Sequence, residues 1–371
     1  DVIDRKPNMV AIMFGMNDVN RRAYIADPGP EETAAQRDAL LRFKENLTAV
    51  VGRLRAGLGQ PKLLFLTPTP FDETAVLAKD NNQPGCNDGL ARCAEIVREL
   101  AAASSGMLVD FHGPMTALNL EQQQKDPEWT IIGGDRVHPG ALGHLMQAWL
   151  FLKKQGAPAV VSKVAVDATT GRAVESVNAE VSAIAAAGGG VTFTVLEKSL
   201  PFPIDPAAAM VLGVLPIERD LNRQILSVQG LAEGDYELKI DGSLVGRYCA
   251  RDLRLGVNLA FNQHTPQFKQ AQTVAKFNES CRNAEAQAIR LLNTRRGLQS
   301  QHKINPDDLD AVRAHYEKFA NKKDPAAVMA LDYINKWPRY DELRREAAVK
   351  AEEAFAHRTP APHDYAVRPA R

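Results

Sequence analysis

The chain has 371 residues, of which 45% are hydrophobic and 24% charged, enough for two or three compact units with ordinary globular cores. Lys+Arg and Asp+Glu balance at 45 each, which excludes a global field drawing the chain to nucleic acid or to an anionic membrane. No apolar run approaches the ~18–20 residues of a membrane span, and the densest stretch, 145–152, reads as the buried face of an amphipathic helix.

The chain opens on Asp1, with no basic-then-apolar leader, so a missing N-terminus, by processing or truncation, is expected. Residues 9–14 (MVAIMF) form a short continuous apolar run, the mark of a strand buried on both faces. Residues 31–57 space Leu40, Phe43, Leu47, Val51 and Leu54 as a helix does. A second strand at 63–67 is stopped by Pro68 and Pro70, a helix follows at 88–103, and a third strand lies at 107–110. A helix over 140–154 starts after Pro139. Alternating strands and helices define an α/β unit with a parallel sheet over 1–157.

Beyond residue 157 the pattern becomes period-two. Strands are expected at 160–167, 172–177, 191–197, 225–228, 236–240 and 244–248, with turns at Glu233-Gly234 and Asp241-Gly242. Short helices are expected at 206–212 and 218–223. Residues 158–250 thus read as a small β-rich appendage, and 251–357 as a helical segment with helices at 264–297, 306–321, 325–335 and 338–356. The Pro-rich tail, 358–371, is expected to be disordered. Four cysteines permit two disulfides, and Cys86 with Cys93 can close a short loop; none has a metal-binding spacing.

Two constellations carry chemistry. Gly15-Met16-Asn17-Asp18 follows the first strand, and ligands in open parallel sheets bind outside the carboxyl ends of strands. Gly15 permits a sharp turn there, and Asn17 offers a neutral N–H to a developing oxyanion. The competing reading makes Asn17 and Asp18 mere turn formers. In Asp135-Arg136-Val137-His138-Pro139, the Asp three residues before the His can fold back on the imidazole, fix its tautomer and leave the other nitrogen as a general base. The competing reading is an exposed histidine before a helix. Together, an oxyanion donor and an Asp–His pair imply a serine acyl hydrolase whose third element lies elsewhere.

On these residues the sequence resembles the SGNH hydrolases, also called GDSL lipases/acylhydrolases. Gly15–Asp18 matches that family's G-x-N-D block and Asp135–Pro139 its D-x-x-H-P block, the likeness covering about residues 1–155. Residues 201–262 also resemble the C-terminal extensions of some environmental bacterial members. The resemblance implies a flavodoxin-like three-layer α/β/α fold and a two-step hydrolysis: a serine attacks a small acyl ester, His138 takes its proton, Asp135 orients His138, and Asn17 with its supporting Gly15 helps hold the oxyanion. It implies no metal or organic cofactor, a secreted or periplasmic location, and a substrate such as an acetylated carbohydrate or a short-chain or lysophospholipid ester. Oligomeric state is not legible.

The family's G-D-S block, which brings the nucleophile, and its second, glycine block are absent from the 371 residues. Ser104, Ser105, Ser162, Ser199, Ser227 and Ser243 lack that context. The α/β unit is therefore expected to be N-terminally incomplete, and the chain alone to be unstable and inactive. The alternative is a non-catalytic binding or scaffold protein on the same fold. His112 and His144 read as structural. Trp129 either lines the substrate groove or packs, and residues 67–71 either shape the pocket or pack as loop.

Overall fold

A computed structural model of the chain describes residues 2–204, 212–317 and 325–370, which form two compact units. The first comprises 1–159 and 204–221, the second 160–203 and 222–371. The segment 204–221 is grouped with the α/β elements, and the C-terminal helices fall in one unit with the β-strands.

In the first unit the elements run β1 (Met9–Met13), α1 (Pro30–Leu58), β2 (Lys62–Leu66), α2 (Cys86–Ala103), β3 (Met107–Val109), α3 (His112–Gln123), α4 (Ala141–Lys154) and α5 (Ile217–Leu221). The strands form a parallel sheet in the order β1-β2-β3, with Ile12 opposite Phe65 and Phe65 opposite Leu108. β2 is central, and Leu63, Leu64 and Phe65 are all buried, as the continuous apolar run requires. Leu63 and Phe65 join Phe43, Leu47, Leu90 and Val97 in one core, so α1 and α2 cover that face. Leu66 points to the other face and packs with Val109, Met115, Met146 and Ile217 in a second core. This is the α/β/α layering.

β1 departs from its expected burial. Met9, Ala11, Met13 and the following Phe14 are exposed and only Ile12 of the strand is fully buried, because among the described residues β1 is an edge strand, paired through β2 alone. All four cysteines are free, which corrects the disulfide expectation. Cys86 and Cys93 both lie on α2, seven residues apart, and a helix separates such residues by about 10 Å, beyond the reach of a disulfide.

The second unit packs a four-stranded sheet against a five-stranded one. Its elements are β4 (Val160–Asp167), β5 (Arg172–Val177), β6 (Ala179–Ala187), β7 (Gly190–Glu197), β8 (Arg223–Gln229), β9 (Asp235–Ile240), β10 (Ser243–Cys249), α6 (Ala250–Leu255), β11 (Val257–Asn258), α7 (Pro266–Ser300), α8 (Leu309–Glu317), α9 (Pro325–Lys336), α10 (Tyr340–His357) and β12 (His363–Pro369). Sheet orders are β11-β8-β4-β5 and β10-β9-β12-β7-β6. Val164, Val166, Leu226 and Val228 face Val191, Phe193, Leu238 and Val367 across one core.

The tail is not disordered: 363–369 are a strand inserted between β7 and β9, with Tyr365 opposite both Phe193 and Ile240. Tyr365 and Val367 point inward while Asp364 and Arg368 point out, an alternation hidden in the sequence by Pro360, Pro362 and Pro369. The Tyr365 hydroxyl donates to Glu197, a carboxylate 2% exposed that also accepts from Gln224 and Gln267. The helix expected at 206–212 falls almost wholly outside the described residues, as does the end of the one expected at 306–321. Among the described residues no helix is long and apolar enough to cross a membrane.

Candidate active site

The carboxyl end of β1 turns at Gly15. Its φ of +133° is a conformation open to glycine, and a Cβ there would lie 3.0 Å from the Pro68 Cβ on the loop after β2. Asp18 closes the turn: its Oδ2 accepts from the Gly15 N–H at 2.9 Å, while the Gly15 carbonyl accepts from Asp18 and Val19. Asn17 is left exposed, its amide without a hydrogen-bond partner among the described residues. It lines an open pocket of about 210 Å³ together with Met13, Phe14, Pro68 and Thr69. Of the two residues that can form the turn, Asp18 does so and Asn17 remains available.

The loop after β2 has mixed duties. Thr67, fully buried, donates to Asp110 at the end of β3 and accepts the N–H groups of Phe111 and His112. Phe71 is buried in the α1/α2 core, and only Pro68 and Thr69 reach the pocket. Asp72 is also buried; its carboxylate accepts from Asn119, Gln123, Thr130 and the Ala75 N–H.

The segment before α4 holds the Asp–His pair. His138 Nδ1 donates to Asp135 Oδ2 at 2.6 Å, and Asp135 Oδ1 accepts the N–H groups of Val137 at 3.0 Å and His138 at 2.9 Å. The imidazole hydrogen bond, reinforced by the His138 backbone N–H, holds the Asp135 carboxyl well below the usual carboxylate range. The His138 side chain is 82% exposed, and its Nε2 has no hydrogen-bond partner among the described residues. The turn is closed by Gly133 N–H donating to the His138 carbonyl and by an Ile132–Pro139 bridge. Val137 is buried in the same core cluster as Ile12, Val19 and Phe71, and hydrogen bonds between Arg136 and Asp72 tie this segment to the loop that follows the carboxyl end of β2.

The structure thus joins Asp135 to His138 directly. Asn17 stands on the loop after β1, and the pocket it lines includes neither Asp135 nor His138. Ser104 and Ser105 lie at the opposite edge, between the end of α2 and the amino end of β3. Ser162, Ser199, Ser227 and Ser243 belong to the second unit. His112 is buried with Nε2 against Asn87 Oδ1 at 3.1 Å, and burial pulls its pKa down, while the nearby Asp110 pushes it up. His144 is exposed on α4, and Trp129 packs beside the second core. The sequence reading missed Arg136 and Asp72; the signal was a long cation set inside the Asp–His motif.

A parallel α/β sheet carrying an Asp–His pair and a free amide on loops at its carboxyl end is the layout of an SGNH-type hydrolase. Residues 1–146, within the first unit, match the model of the GDSL-like Lipase/Acylhydrolase family. The chain is similar to an acetylxylan esterase from Geobacillus stearothermophilus, at 26% identity over 156 residues, which are 42% of this chain and 63% of the relative. It therefore spans less than two thirds of that relative's length. Among solved structures it is similar to a gut microbial diltiazem-metabolizing enzyme, at 27% identity and a TM-score of 0.90, over 100% of this chain and 85% of the other.

Proposed function

We propose that Asp135, His138 and Asn17 are the acid–base and oxyanion part of a serine ester hydrolase acting on a small acyl ester. The observation that carries this reading is the 2.6 Å His138–Asp135 hydrogen bond with the opposite ring nitrogen free toward solvent. His138 Nε2 removes the proton of the attacking serine, and Asp135 keeps the other ring proton on Nδ1 and offsets the imidazolium charge. Asn17 donates to the oxyanion of the tetrahedral intermediate. The protonated imidazole then gives its proton to the leaving alkoxide, and water, activated by the same nitrogen, releases the acid. Similarity to an acetylxylan esterase supports an acetylated carbohydrate over a lysophospholipid as substrate.

The nucleophile, in this reading, comes from a further strand laid along β1. The apolar and unpaired edge of β1, with Met9 and Met13 exposed, supports this. The absence of a G-D-S block from the 371 residues equally favours a second reading, a binding protein on the same fold. Labelling with a fluorophosphonate probe separates them. For the hydrolase we expect a labelled serine outside residues 1–371 in the native protein, labelling lost in His138→Ala, and no label on the 371-residue chain alone. A protein from its source that takes no label supports the binding reading; label that survives His138→Ala refutes the assignment of His138.

A further inference from the structure

Between the two members of the Asp–His pair stands a residue unlike either. Asp135 and His138 are solvent-facing, whereas Arg136 is 4% exposed. Its backbone is left-handed, with φ +64°, a conformation that a long side chain seldom adopts without being held. What holds it is a fork of three hydrogen bonds. Arg136 Nη1 donates to the carbonyls of Asp72 at 2.7 Å and Ala75 at 3.0 Å, and Nε to Asn81 Oδ1 at 3.0 Å. The backbone completes the tie, since the Asp72 N–H donates to the Arg136 carbonyl at 3.2 Å.

Asp72 is itself fixed, because its carboxylate gathers Asn119 and Gln123 from α3 and Thr130 from the strand-like segment before the motif. A rigid path therefore runs from α3 through Asp72 to the guanidinium and into the turn 133–139. His138, by contrast, has no side-chain partner besides Asp135 among the described residues. Its orientation depends on the turn backbone.

We propose that Arg136 is a positioning residue: its buried guanidinium, docked on the loop 72–81, sets the turn so that Asp135 meets His138 Nδ1 and leaves Nε2 free. Only the consequence for turnover rests on the hydrolase reading. Lysine is a poor substitute, since a compact ammonium on a flexible stem does not reproduce the planar fork.

The test reads the tautomer of His138 by nitrogen NMR in the complete native protein, at about pH 8 where an ordinary histidine is neutral. The parent is expected to hold the proton on Nδ1. Arg136→Met should lose at least half of that population toward the Nε2–H form, Arg136→Lys should fall between, and Asp135→Ala gives the unpaired limit. Circular dichroism confirms that each variant is folded. A folded Arg136→Met with the parental tautomer refutes the proposal, whatever its melting temperature, because a merely structural arginine would move stability alone. If Arg136→Met does not fold, Asn81→Ala removes one arm of the fork and must still shift the tautomer; no shift overturns the proposal. No substrate is needed, so a protein that hydrolyses no ester refutes the hydrolase reading and leaves this result standing.

Discussion

Replacing Gly15 by alanine tests whether the turn at the end of β1 is as constrained as it looks. The φ of +133° lies where a Cβ is strained, which costs about 1–3 kcal/mol. The new methyl would stand 3.0 and 3.1 Å from two atoms of the Pro68 ring and 3.5 Å from the Cys93 Cβ. The Cys93 distance is an ordinary contact, but a proline ring cannot rotate aside, so the loop after β2 must give by a few tenths of an ångström, at about 1–3 kcal/mol for an overpacked site. Lower backbone freedom in the unfolded chain returns about 0.4–1 kcal/mol. The net expectation is a loss of about 1–6 kcal/mol, a large part of the stability of a typical domain. Urea unfolding followed by tryptophan fluorescence measures it in a Trp337→Phe background, where only Trp129 and Trp149 of the first unit report. A loss under about 0.5 kcal/mol, the level of an ordinary surface substitution, would refute both the strain and the contact.

In the complete protein, Asn17→Ala is expected to lower kcat by about 10²–10³-fold with little change in KM, the scale of one oxyanion donor; an unchanged kcat would remove Asn17 from the site. The depressed Asp135 carboxyl contributes stability that is full above its unfolded value of about 3.9 and is lost as pH falls through the lower folded value. The stability difference between the parent and Asp135→Asn should therefore shrink in acid below about pH 3.9, and a difference that grows there would contradict the assignment. Tyr365→Phe removes a donor to buried Glu197 and should cost the second unit about 1–3 kcal/mol in urea unfolding; parental stability would show that the hydroxyl is not used. Burial pushes the Cys86 and Cys93 thiols up to about 12, so both should resist a disulfide reagent until the first unit unfolds, and rapid native labelling of all four cysteines would refute their burial.

The first unit was legible because its signals are local. β2 carries a continuous apolar run between Pro61 and Pro68, with Leu63, Leu64 and Phe65 buried, α1 carries its apolar stripe at helical spacing, and Asp135 and His138 sit three residues apart, within reach of one another in a single turn. The same locality made Gly15–Asp18 readable as a turn at a strand end, although it left Asn17 and Asp18 interchangeable; only the folded structure assigns the turn to Asp18. What depends on distant partners escaped. β12 looks like a Pro-rich tail because strand character there comes from two neighbours, β7 and β9, more than a hundred residues upstream. β6, AEVSAIAAA, has small residues suited to a helix and becomes a strand by pairing with β7. The burial of Arg136 follows from three acceptors, 55 to 64 residues earlier in the chain, that no spacing rule links to it. By itself the sequence determined which side chains can do chemistry and the local turns that carry them, since those are set within a few residues by steric and hydrogen-bond preferences. Tertiary structure alone decided which surfaces are edges, which cysteines are too far apart to join, and which groups hold the Asp–His turn in place, because each of these is settled by what long-range packing brings alongside.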